Sequence, residues 1–131
     1  MSDRSSRAAV YVQTNEPDNN RVIAFSRASD GALAELGVYP TGGAGDGIPH
    51  LTSQGSVVLT RDGGHLLVAN ADSGDVSVFS VTDDGLELHQ TVVTGAAPKS
   101  IAEHEGLVYV LNTGDPSLVK AKPYGVGPED G

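Results

Sequence analysis

His50 and Asp46 lie four positions apart in a glycine-rich stretch. An imidazole there can take a proton from water while the carboxylate orients its ring, which is the start of general-base hydrolysis. The plainer reading is a solvated loop in which the two side chains never meet. Lys99 can hold a phosphate or carboxylate, or can be an ordinary surface charge. Asn15, Asn70 and Asn112 recur after similar apolar runs. Either they form a ring of amides against a ligand, or they serve turns, because Asn accepts left-handed geometry and bonds its own backbone. His65, His89 and His104 are scattered, without metal-ligand spacing to a carboxylate. Asp72, Asp75 and Asp115, with the acidic GDGIPH at 45–50 and NADSGD at 70–75, resemble pieces of a calcium loop but lack its full spacing. The run GGAGDG at 42–47 has neither the P-loop pattern nor a following helix. No metal and no cofactor is expected.

The elements that would position these residues repeat. Val10–Asn15, Leu66–Asn70 and Val108–Asn112 are each a β-favouring run that ends in Asn and enters a polar loop. A second run follows the first two, Val22 to Phe25 and Val76 to Phe79, with Phe25 and Phe79 in matching places. The turns Ser29-Asp30-Gly31 and Asp83-Asp84-Gly85 come next. Asp-Gly between apolar runs signals a hairpin, whose type I′ turn needs φ > 0 at both central residues. The following runs, Leu33 to Tyr39 and Leu86 to Val93, lead to Thr41-Gly42 and Thr94-Gly95. A further run, Ser56 to Thr60, reaches the turn at Arg61–Gly64, and its counterpart Ser100 to Ala102 reaches Glu105-Gly106. Asn70 and Asn112 are 42 residues apart, and Asp62 and Glu105 are 43 apart. Four short strands in a repeat of roughly 40–50 residues mark a β-propeller blade. LLVA and SVVL are continuous rather than alternating, as when both faces of a sheet are covered. No segment sustains a helical period.

The expected fold is therefore all-β: a partial, unclosed propeller of about two and a half antiparallel blades. Counting strands outward from the axis, the chain opens at a second strand. Blade 1 spans about 8–43, blade 2 about 54–95 and an incomplete blade 3 about 98–121, giving three, four and about three strands. Residues 1–7 are expected to be a disordered tail. Residues 117–131 are expected to be irregular beyond a broken strand near Leu118–Ala121, since Pro123 and Pro128 each remove a ladder donor. The loops at 15–20, 40–55, 70–75, 94–99 and 112–116 then share one face. They gather Asp18, Asp46, His50, Gln54, Asn70, Asp72, Asp75, Lys99 and Asp115 around one mouth. The candidate pocket rim is Asp46, His50, Gln54, Asn70 and Lys99.

VYVQTN at 10–15, PTGG at 40–43, SQG at 53–55, LLVAN at 66–70 and GLVYVLNTG at 106–114 resemble the seven-bladed propeller lactonase family. That group holds bacterial 6-phosphogluconolactonases and fungal carboxymuconate-lactonising enzymes. VYV…N also looks like the repeat of surface-layer-type propellers. The resemblance covers residues 8 to 116 and implies lactone hydrolysis or a related lactonising isomerisation. It implies catalytic groups on later blades, so no catalytic residue is carried onto this chain, which supplies one wall of the site. The expectation is the N-terminal third of a larger ring, inactive alone, with a small lactone or sugar acid as partner. The alternative is a binding module without catalysis, because fold does not fix function.

Composition narrows the partners. The formal net charge is −9, so nucleic acid and anionic membranes would be repelled. Cysteine is absent, which excludes thiolate metal sites and cysteine nucleophiles. The apolar run Ala8 to Val12 is shorter than the ~7–15 residues of a secretory signal, and nothing approaches the ~18 of a membrane span, so a cytoplasmic chain is expected. An unclosed array exposes sheet edges and faces, so self-association is expected there.

Overall fold

The computed structural model describes residues 8–48, 55–113, 117–122 and 126–128, with side chains over 9–48 and 55–113. The described residues form strands, turns and loops without a helix. The strands are β1 (Ala8–Gln13), β2 (Arg21–Arg27), β3 (Leu33–Pro40), β4 (Val57–Leu59), β5 (His65–Asn70), β6 (Asp75–Thr82), β7 (Gly85–Val93), β8 (Pro98–His104), β9 (Leu107–Asn112), β10 (Ser117–Lys122) and β11 (Val126–Pro128). They make three antiparallel sheets, in the orders β1-β2-β3, β4-β5-β6-β7 and β8-β9-β10-β11. No sheet closes on itself. The chain is a partial propeller.

The third sheet departs from expectation. Its third strand runs to Lys122, with a register shift between Ala121 and Lys122, and β11 adds a fourth strand within the segment expected to be irregular. Pro128 pairs with Ala121 at the outer edge, where a residue without an N–H costs the ladder little. The expected tail at 1–7 lies outside the described residues.

Turn chemistry also differs in detail. Paired left-handed residues occur at Glu105 (φ 50°) and Gly106 (φ 82°), joining β8 to β9. At the two Asp-Gly turns only Gly31 (φ 92°) and Gly85 (φ 138°) are left-handed. By register, β6 and β7 are joined by Asp83 and Asp84 alone, whereas β2 and β3 are joined by the longer loop 28–32. Asp30 Oδ1 accepts the Ala32 amide at 2.9 Å, which fixes that loop.

The sheets stack face to face, and strand alternation divides each one between two neighbours. On β5, Leu66 and Val68 point to the first sheet, while Leu67 and Ala69 point to the third. On β6, Phe79 and Val81 face the first sheet and Val76 and Val78 the third. Tyr11, Val22 and Tyr39 complete the first interface; Ile101, Val108 and Val110 complete the second. The middle sheet is thus apolar on both faces, which explains the unbroken LLVA. SVVL is less covered: Val57 and Val58 are half-buried and Leu59 is 48% exposed. Matching bulges interrupt β2–β3 beside Phe25 and β6–β7 beside Phe79, so the repeat extends to its irregularities.

Phe79 fills the first interface and is fully buried. Phe79→Ala is expected to lower unfolding free energy by about 3–5 kcal/mol. Leu88→Ala, at its exposed pairing partner on β7, should cost well under half as much. Urea titration of the two variants checks this, and equal losses would contradict the packing.

Candidate functional site

Loops 14–20, 41–48, 71–74 and 94–97 gather at one end of the sheets and bind one another. The Asn20 amide donates to Gly43 O at 3.0 Å, Asp72 N to Ala44 O at 3.0 Å and Thr94 N to Gly74 O at 3.0 Å. Gly45 N reaches Glu16 O at 2.8 Å and Gly47 N reaches Asn15 O at 2.9 Å. These loops are a connected surface rather than independent solvated arms.

Asp46 lies in that surface and joins two sheets. Its Oδ1 accepts Asn15 Nδ2 at 2.6 Å and the Ile48 amide at 3.0 Å. Its Oδ2 pairs with Lys99 Nζ at 2.6 Å, with the two side chains only 17% and 13% exposed. Asn15 follows β1 and Lys99 stands at the start of β8, so this carboxylate ties the first sheet to the third. Burial alone would raise the Asp46 pKa. The hydrogen bonds from Lys99, the Ile48 amide and Asn15, with the charge of Lys99, outweigh it and hold the carboxyl below its ordinary value.

Asn70 is fully buried between the first and second sheets rather than on an open rim. Its Oδ1 accepts Thr41 Oγ1 at 2.8 Å and Asn20 Nδ2 at 2.9 Å. Its Nδ2 donates to Asp75 Oδ1 at 2.7 Å and Ser77 Oγ at 2.9 Å. An amide can make four such bonds, and all four are made here. Asn112 is also fully buried and donates to Thr94 O at 2.9 Å. In each case the Asn ending a second strand meets the Thr that follows the previous sheet's last strand.

The two readings of the repeated Asn therefore divide. Asn15 alone of the three is left-handed, at φ 57°, and serves loop geometry. Asn70 and Asn112 end regular strands and clasp neighbouring sheets. The sequence reading missed Asn20 and Thr41, both fully buried. The recurrence of Thr-Gly at 41–42 and 94–95 was the available signal.

Of the expected rim, Asp46 and Lys99 are brought together and Asn70 is withdrawn into the interface. His50 and Gln54 lie outside the described residues, as does Asp115. Asp18 and Asp72 are exposed, and Asp75 is half-buried against Asn70 and Ser73. Among the described residues no group of three or more His, Asp or Glu is placed to hold a metal ion. What the end surface offers chemically is a half-buried carboxylate–ammonium pair framed by backbone amides.

The Asp46 pKa is lower folded than unfolded, so the unfolded chain takes up the proton first as pH falls. Its contribution is whole above the ordinary carboxylate value of about 4 and fades as pH drops through the lowered folded value. Asp46→Asn is expected to cost about 1.5–3 kcal/mol at pH 7. The gap from the parent chain should narrow in acid, and a gap unchanged from neutral pH to well below 4 would contradict the pairing. Gly43→Ala would set a Cβ 2.5 Å from the Asn70 amide. A loss of about 1–3 kcal/mol should follow, read from the same urea curves.

Known proteins supply the family. A solved structure described as a functionally unknown protein from Desulfotomaculum acetoxidans DSM 771 superposes with a TM-score of 0.64 at 17% identity. The match covers 92% of this chain and 38% of that one, so this chain spans well under half the length of the structure it resembles. That likeness concerns fold. Among curated proteins no match was found. The family profile described as "Lactonase, 7-bladed beta-propeller" matches residues 4–119. With blade-like sheets, repeated Asn–Thr clasps and that match over most of its length, the chain belongs to the seven-bladed β-propeller lactonase family.

Proposed function

We propose that these three sheets form one wall of the mouth of a lactone-hydrolysing propeller, with a sugar lactone as substrate class. On this reading the 131-residue chain binds such a ligand without turning it over. A seven-bladed ring of four-stranded sheets would hold about 28 strands, against the eleven found among the described residues.

The observation that carries the reading is the Asp46–Lys99 pair. Hydrolysis of a lactone needs a base for water and donors for the oxyanion. Asp46 is the carboxylate four positions before His50 in the sequence. Its oxygens are instead occupied by Asn15, Ile48 and Lys99. That supports a positioning part for this wall, with the proton-transferring groups elsewhere in the ring.

The test uses a six-carbon δ-lactone, with and without a 6-phosphate. A pH-stat is expected to record the spontaneous hydrolysis rate whatever the concentration of chain. Saturation-transfer NMR should show contact with the sugar acid product. A rate rising in proportion to the chain would make it a complete catalyst. Contact with neither lactone nor acid would leave a binding module for another class of partner. Either result overturns the proposal.

A further inference from the structure

His65 and His89 stand on different strands of the second sheet, and folding sets their rings beside one another. The ring centroids are 6.3 Å apart and the planes are tilted by 59°. His65 opens β5 and pairs with Ser80 of β6, and Ser80 pairs with Glu87 of β7. By strand alternation His65 shares the face of Leu67 and Ala69, which is the one turned toward the third sheet.

Two features of the sheet make that contact. The strand between the imidazoles presents Ser80, whose short side chain lets the rings meet across it. The bulge beside Phe79 leaves His89 as the extra residue of β7, between Leu88 opposite Phe79 and Gln90 opposite Val78. A bulge re-aims a side chain, and here it turns His89 toward His65.

Neither histidine belongs to the repeat. Val10 pairs with Phe25 as Leu66 pairs with Phe79, so Ala9 holds the place of His65 in the first sheet. Counting back from Asn112 as from Asn70 gives Leu107 that place in the third. The matching bulge of the first sheet holds Leu36 where the second has His89. The blade thus builds these positions with alanine or leucine, and the two imidazoles occur together in the second sheet.

We propose that His65 and His89 form a site for a divalent transition-metal ion of the zinc or nickel kind. Neutral imidazole suits these ions, whereas magnesium and calcium take oxygen ligands. With zinc–nitrogen bonds of about 2.0–2.1 Å, two imidazoles sharing an ion at a tetrahedral angle have centroids about 5 Å apart. The rings stand about 1 Å wider than that, and His89 is exposed, so rotation of its side chain closes the gap. Among the described residues no third His, Asp or Glu joins them in a group placed to hold the ion, so water completes the shell. Glu87 on β7, with Asp83 and Asp84 in the turn before it, puts negative charge at this end of the sheet. The ion ties β5 to β7 across β6 and holds the bulge. His65 opens β5 and Asn70 closes it, so the site lies at the end away from loops 71–74 and 94–97, and it is independent of the lactone reading.

Calorimetric titration of the full, untagged chain with zinc chloride tests the site, with nickel chloride as a second probe. One ion per chain is expected, with no comparable heat from magnesium chloride. Zinc should shift the imidazole NMR signals of His65 and His89 and leave those of His104 in place. Losing a group that merely orients a ligand already costs about 10–100-fold in metal affinity, so His89→Gln should weaken binding by at least about tenfold. His65→Gln should do the same, and His104→Gln should bind like the parent. If His65→Gln loses its strand signal in circular dichroism, the exposed His89→Gln and the NMR shifts decide. A chain that binds neither ion, magnesium heat equal to that of zinc, an affinity indifferent to His89→Gln, or shifts confined to His50 and His104 overturns the proposal.

Discussion

The arrangement depends on buried polar groups that must be paired between sheets. Asn70 sits where a β-strand leaves the core, with no water to satisfy its amide. An unmet buried amide costs on the order of 1–3 kcal/mol per group. Its partners come from two sheets: Thr41 and Asn20 from the first, Asp75 and Ser77 from its own. Apolar faces alone would let two twisted sheets slide, since burial has no direction. The amide fixes how far along each other the sheets lie. The Asn112–Thr94 contact does the same at the next interface.

Glycines follow from that constraint. A Cβ on Gly43 would lie 2.5 Å from the Asn70 amide, and one on Gly45 would lie 2.5 Å from Asn15. The glycine-rich run between the first two sheets is therefore a close-packed segment laid over two asparagines. It carries Asp46 to Lys99 and so connects the first sheet to the third. The loops at that end share these bonds, so loop geometry and sheet stacking are mechanically one system.

The same reasoning separates structural from chemical residues. Repeated residues in a repeat protein first answer to the repeat: Asn70 and Asn112 recur because each interface needs its clasp. Asp46 and Lys99 do not recur, and their pairing belongs to one place on the end surface. A half-buried ion pair contributes little net stability after desolvation. Its effect is to set where a loop and a strand start sit.

Much of the fold was legible in the sequence because strand alternation and turn residues act locally. Matching runs at Val10, Leu66 and Val108, the paired phenylalanines and the Thr-Gly steps were enough to read stacked four-stranded sheets. Two local rules misled. Prolines were expected to leave 117–131 irregular beyond a broken strand near Leu118–Ala121, yet β11 pairs at the sheet edge with Pro128 opposite Ala121. Asp-Gly was expected to give paired left-handed residues, which the chain uses at Glu105-Gly106 instead. The site was much less legible. Spacing placed Asp46 near His50 along the chain, whereas folding gave it Lys99, 53 residues away. The sequence determined which residues face inward, since a period of two is written into each strand. Only the tertiary structure decided which buried polar group meets which, because those partners are set by the stacking of sheets far apart in the chain.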